Sequence, residues 1–112
     1  MRRNFNFYVY ILTNQQKTVL YTGLTNNLEL RIIEHWQNRG NWETFAGRYR
    51  AFYLLYYEQH QYINNAMDRE FEIKGWVRRK KCDLISQFNP EWKFLNEELL
   101  GEWPPKRIPN RF

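Results

Sequence analysis

The chain is poor in the residues that make special-purpose scaffolds: 112 residues contain one cysteine, Cys82, and two histidines, His35 and His60. A single thiol excludes an internal disulfide and points to a reducing compartment, and three scattered potential ligands are too few for a structural zinc site. No apolar run is long enough to cross a bilayer. The stretch 7–12, behind Met1, Arg2 and Arg3, is too short for a signal-peptide core and is interrupted by Tyr8 and Tyr10. A cytoplasmic location is therefore expected. There is no internal repeat, and no run resembles the RNP1 pattern of sheet-based RNA binders. Three of the four prolines, Pro104, Pro105 and Pro109, fall near the end. Residues 101–112 are expected to be a basic tail, extended from Glu102, behind one domain of residues 1–100.

What the chain does have is positive charge and aromatic rings. Seventeen Lys and Arg against twelve Asp and Glu leave a net charge of +5. That balance favours a polyanionic partner, DNA before RNA, and gives no sign of a membrane surface. Aromatics are 19% of the residues, more than a core of this size needs. Some should serve the surface, although Trp36, Trp42, Trp76, Trp92 and Trp103 each read first as packing residues.

Apolar runs at 5–12 and 19–22, separated by polar residues 13–18, read as a hairpin. With the turn centred between Gln15 and Gln16, Tyr10 stands opposite Tyr21. Asn26 is a candidate helix cap with Glu29 three residues on, and the helix should reach Gln37 with Leu28, Ile32, Ile33 and Trp36 inward and Arg31 and His35 at the edge. Residues 38–50 read as loop or short irregular helix and 51–58 as a third strand. A helix from Asn64 or Asn65 to Gly75 should bury Ala66, Met67, Phe71 and Ile73, with Glu70 in the same arc and Asp68, Arg69 and Glu72 outside. Residues 78–88 read as a third helix with a basic start and Leu84, Ile85 and Phe88 on its apolar side. The fold class is α/β (α+β), a small three-stranded antiparallel sheet flanked by helices.

These elements, in this order, carry a recognisable set of residues. Tyr8-Val9-Tyr10 and Tyr21-Thr22-Gly23 are followed by Arg31 and His35 on the first helix, Glu70 within residues 66–74, and Asn89-Pro90-Glu91-Trp92. The set resembles the GIY-YIG nuclease superfamily, in particular its small stand-alone bacterial members, over residues 7 to about 95. Tyr8 replaces the first Gly of the motif and Thr22 the Ile, at positions not expected to supply reactive atoms. The resemblance implies a metal-dependent endonuclease hydrolysing phosphodiester bonds in DNA, structured or branched DNA of repair or recombination included. The alternative is an inactive nucleic-acid-binding module of the same fold.

Phosphodiester hydrolysis needs a deprotonated water, a cation for the phosphoryl oxygens and help for the leaving oxygen. By resemblance, Glu70 holds one Mg²⁺ or Mn²⁺ and Arg31 binds the scissile phosphate, its planar fork suiting that geometry. Tyr21 is the general base with Tyr10 positioning it or the water, and His35 is the onward proton acceptor or the base itself. Gly23 is expected to let the backbone turn tightly into the helix. Lys74, Arg78, Arg79, Lys80 and Lys81 are expected to contact flanking phosphates, and Asn89 to line the site. The structural readings stand beside these: Tyr10 and Tyr21 as a cross-strand aromatic pair, Glu70 paired with Lys74 or Arg31, and residues 78–81 as a solvated face. A domain this small has little surface for base readout, so low specificity or a targeting protein partner is expected.

Overall fold

The apolar runs on either side of the polar segment 13–18 do pair as a hairpin. In the computed structural model of the chain, which describes residues 6–106, they form β1 (Phe7–Thr13) and β2 (Leu20–Thr25). Phe5, expected in the first strand, lies outside the described residues. Tyr10 stands opposite Gly23 and Tyr21 opposite Leu12, so the register differs from expectation by two residues. The cause is Asn14. Its side-chain oxygen accepts from Thr18 N at 2.8 Å and Val19 N at 3.3 Å, and Lys17 turns at φ 59°. This asymmetric turn moves the hairpin centre to between Gln16 and Lys17. Because side chains alternate with a period of two, the shift leaves both phenols on one face.

The third strand, β3 (Tyr53–His60), lies antiparallel to β1 on its other side, giving sheet order β2-β1-β3 with an irregularity at Ile11/Leu12. One face carries Tyr10, Leu12 and Leu54 under Leu28 and Ile32 of α1 (Leu28–Gln37). Ala46 joins this core from α2 (Phe45–Arg48), a short helix within the segment expected to be irregular. The other face carries Val9, Ile11, Leu55 and Tyr56 under α3 (Ile63–Lys74) and α4 (Arg78–Phe88), through Ala66, Ile73 and Ile85. The cap of α1 is Asn27 and not Asn26, its side chain accepting from Leu30 N at 3.1 Å.

Helix α3 departs most from expectation. Ala66 and Ile73 are buried, but Met67 is 52% and Phe71 82% exposed. At about 100° per residue the arc through Ala66, Glu70 and Ile73 leaves Met67 and Phe71 to one side. Arg69, expected in solvent, turns toward the sheet because Glu58 of β3 accepts from its Nε at 2.9 and 3.2 Å. Glu58 also accepts from Tyr56 and pairs with His60 at 2.5 Å. Glu70 is thus not the only inward carboxylate.

Chain beyond α4 closes the outer edge of β3, whose backbone would otherwise be open to pairing. Asn96, at the start of α5 (Asn96–Leu100), accepts from Leu54 N at 2.7 Å and donates to Phe52 O at 2.8 Å. Leu95 N donates to Leu54 O at 2.9 Å. Trp103 meets Trp36 with ring centroids 5.3 Å apart and Phe52 at 6.1 Å. The body therefore continues past residue 100, and the extended arm expected from Glu102 does not begin there. Pro109 and the rest of 107–112 lie outside the described residues. No helix among the described residues is long and apolar enough to cross a membrane.

Candidate active site

Tyr10 is fully buried in the middle strand, and its ring has room only because the residue opposite it is glycine. A Cβ on Gly23 would lie 2.4 Å from both the Cζ and the hydroxyl oxygen of Tyr10. Gly23 sits inside β2, so its role is close approach beneath an aromatic ring and not the turn into α1 expected of it. The Tyr10 phenol thereby lies across β2, the edge strand on this side of the sheet.

The hydroxyl of Tyr10 is joined to His35 Nε2 by a 2.9 Å hydrogen bond. Tyr21, diagonally across the strand pair, completes a triangle of rings: its centroid is 6.4 Å from Tyr10 and 5.4 Å from His35, with Tyr10 and His35 5.8 Å apart. Burial, reinforced by Tyr21, pushes the Tyr10 phenol well above its ordinary value, against the pull of Arg31. Tyr10 therefore keeps its proton at neutral pH. Burial and then the charge of Arg31 lower His35 to about 4, so its imidazole is neutral.

Arg31 and His35 follow one another by a helical turn on α1 and line, with Tyr21, a hollow of about 380 Å³. The Arg31 side chain is 43% exposed and pairs with Glu34 at 3.1 Å. An exposed pair of this kind is worth roughly 0–1 kcal/mol, which leaves the guanidinium able to exchange its partner for a phosphate. Glu34 and Phe45 also line the hollow, and neither was expected there. The i, i+3 spacing of Arg31 and Glu34 is the one sequence signal that marks Glu34; nothing in the sequence marks Phe45.

Glu70 enters from α3, on the opposite side of the sheet, yet its charge acts on Tyr10. Glu70 is not among the residues that line the hollow of Tyr21, Arg31 and His35, and it bears on that site through its charge. The Glu70 side chain is 21% exposed and pairs with Lys74 at 2.9 Å, whose own side chain is 52% exposed. Among the described residues no three His, Cys, Asp or Glu side chains gather as a metal cluster. One carboxylate at a solvent-accessible edge nevertheless suits Mg²⁺ or Mn²⁺. Such hard cations are commonly held by one or two carboxylates, with waters and substrate phosphate filling the shell.

The remaining expected contacts lie elsewhere. Lys74 is engaged by Glu70. Arg78 donates to Lys17 O and Thr18 O, both at 3.1 Å, and so ties α4 to the hairpin turn. Arg79 and Lys80 are exposed and Lys81 half-buried, with Lys80 Nζ 4.4 Å from the Trp76 ring centroid. Asn89, expected to line the site, is buried with its amide occupied: it donates to Leu55 O at 3.1 Å and Lys93 O at 2.8 Å and accepts from Lys93 N at 3.2 Å. Its work is to clamp the chain after α4 against β3.

Gly23→Ala should displace the Tyr10 ring and lower stability by about 1–3 kcal/mol, the usual cost of overpacking. Shrinking the opposing side chain in Gly23→Ala/Tyr10→Leu should recover part of that loss in denaturant melts. For His35, lowered from 6.5 to about 4, the unfolded chain binds the proton more readily between those values. Its contribution to stability is therefore complete above pH 6.5 and disappears as pH falls through 4. Melts across that window should show the wild type losing on the order of 3 kcal/mol more than His35→Gln.

Against this geometry the comparisons with known proteins are specific. A family model described as the GIY-YIG catalytic domain matches residues 6–83. UPF0213 proteins of Staphylococcus saprophyticus and Staphylococcus haemolyticus are each 38% identical over 80 residues, 71% of this chain and 94% of theirs. A UPF0213 protein of Staphylococcus aureus is 34% identical over the same shares. The solution NMR structure of UPF0213 protein BH0048 from Bacillus halodurans matches with a TM-score of 0.52 at 29% identity, covering 82% of this chain and 95% of that one. The three-stranded sheet, its flanking helices and the matched residues together place this chain in the GIY-YIG catalytic-domain family.

Proposed function

We propose that the chain is a divalent-metal-dependent endonuclease that hydrolyses phosphodiester bonds in DNA, structured or branched DNA included. The observation that carries this reading is the convergence of Tyr10, Tyr21, Arg31 and His35 at one edge of the sheet, with the Glu70 carboxylate acting on the same phenol. Arg31 binds a non-bridging oxygen of the scissile phosphate, with its guanidinium fork fixing the orientation. Tyr21, half-buried and lining the hollow, is the phenol a water molecule can reach, and it takes the proton from the attacking water. Tyr10 holds its own proton too tightly for that role and instead fixes His35 and the wall behind Tyr21. His35, neutral at working pH and engaged by the Tyr10 hydroxyl, is too weak a base to keep the water's proton, which passes from Tyr21 to solvent through the open hollow. One Mg²⁺ or Mn²⁺ on Glu70 would supply positive charge at the leaving oxygen.

Lys74 bears on the alternative of an inactive binding module, since a carboxylate locked in an ion pair holds no cation. Both partners reach solvent, and a surface pair of this strength yields readily to a divalent ion. The lysine holds the carboxylate oriented until then.

Linear, single-stranded, flapped and four-way DNA incubated with the chain in Mg²⁺, Mn²⁺ or EDTA tests the proposal. Cutting should require metal, vanish in Glu70→Gln and fall about 10²-fold or more in Tyr21→Phe, with thermal melts near wild type. Unchanged cutting by Glu70→Gln would remove the metal site. Binding without cutting on every substrate would favour the inactive module.

A further inference from the structure

The segment between α1 and β3 holds three aromatic rings out of the core within eight residues: Trp42 is 70%, Phe45 49% and Tyr49 45% exposed. Exposed apolar surface of this density on a small chain ordinarily marks a contact site. Trp42, expected to pack, does not.

The backbone that carries the rings is tied down. Thr44 caps α2 by accepting from Gly47 N at 3.0 Å, Gly40 N donates to Gly47 O at 2.8 Å, and Ala51 N donates to Ala46 O at 2.8 Å. A Cβ on Gly47 would lie 2.6 Å from Asn41 O and from Thr44 Oγ1, so the segment is closed on itself around that glycine. Buried Ala46 fastens it to the core.

The ledge is continuous with the candidate active site. Phe45 lies nearly parallel to Tyr21, 21° between planes and 6.3 Å between centroids, and contacts Tyr49 at 4.8 Å, yet stays 49% exposed. Arg48 donates to Trp42 O at 2.7 and 3.2 Å, with its guanidinium 5.4 Å from the Trp42 ring centroid. Flat ring faces thus lead away from the hollow in which Arg31 sits, edged by a second arginine.

We infer that Phe45, with Tyr49 and Trp42, forms a stacking ledge for an unpaired nucleobase beside the phosphate held by Arg31. This rests on the nuclease reading above and specifies it: the bound strand has unpaired nucleotides next to the cut. Aromatic faces bind bases by stacking without regard to sequence, whereas in an intact duplex each base face is already covered by its neighbours. The charges of Arg31 and Arg48 favour a nucleic-acid strand over an apolar protein surface as the occupant.

The test uses the full chain in EDTA, so that nothing is cut, with fluorescein-labelled oligothymidine and a fully paired DNA hairpin of equal phosphate number. Phe45→Leu keeps an apolar side chain but removes the ring, and a thermal melt checks that the fold is retained. Affinity for oligothymidine should fall about tenfold or more, affinity for the hairpin less than about twofold, and Phe45→Trp should preserve both. Equal losses on the two probes would overturn the ledge, as would an unchanged single-strand affinity. So would a change of oligomeric state in Phe45→Leu without loss of oligothymidine binding, which would mark the rings as a self-association face. If wild type cuts DNA in metal while Phe45→Leu binds oligothymidine normally, the ledge fails alone. If wild type binds neither probe and cuts nothing, the nuclease reading fails and the ledge with it.

Discussion

The structure of the site depends on one close approach, the ring of Tyr10 lying over the bare backbone of Gly23. The middle strand of a sheet normally buries its side chains against its own neighbours, and Tyr10 is indeed fully buried. Glycine opposite it lets the ring lean across the edge strand, so that its hydroxyl meets His35 of α1 and feels the charge of Glu70 from the other layer. The buried phenol and the neutral imidazole then form an uncharged, hydrogen-bonded wall. Against it the more accessible groups of the hollow, Tyr21 and Arg31, are set.

The two edges of the sheet are used differently. The β3 edge is closed by chain from beyond α4, with the Asn89 and Asn96 amides satisfying Leu54, Leu55 and Phe52 backbone groups. Each such amide left unpaired in the interior would cost about 1–3 kcal/mol, so this segment is integral to the domain. The β2 edge carries the candidate site. A second network, Glu58 with Tyr56, His60 and Arg69, pins α3 to β3. Against burial, which alone would raise it, hydrogen bonds from Tyr56, Arg69 and His60 keep the Glu58 carboxyl below its ordinary value. That anchorage fixes the helix that presents Glu70.

Much of this was legible in the residue order. Hairpin, helices and third strand fall near their expected places because alternation and helical spacing report which side is buried. Tyr10 and Tyr21 share a face even with the turn centre misjudged, since a shift of two residues preserves side. What escaped detection is what tertiary contacts decide. Gly23 could not be read as the floor of a ring without knowing its partner across the strand. Asn89 and Asn96 look like any surface amides until β3 is known to lack a neighbour. Met67 and Phe71 read as core because apolar residues usually are, while Arg69 was drawn inward by a carboxylate on a strand. The basic start of α4 gave a charge pattern, but only coordinates reveal that Arg78 is committed to the hairpin turn.

The hairpin and α1 border one hollow through Tyr21, Arg31 and His35, and the proposed chemistry requires that a cation held by Glu70 of α3 lie within reach of it. Paramagnetic relaxation by Mn²⁺, followed by NMR on the full chain with stoichiometric ion, tests it most directly. Broadening should centre on Glu70 and extend to the Tyr10, Tyr21 and His35 ring signals while Asn89 and Asn96 stay sharp. Broadening that leaves those rings untouched, or that centres on another part of the chain, would contradict it.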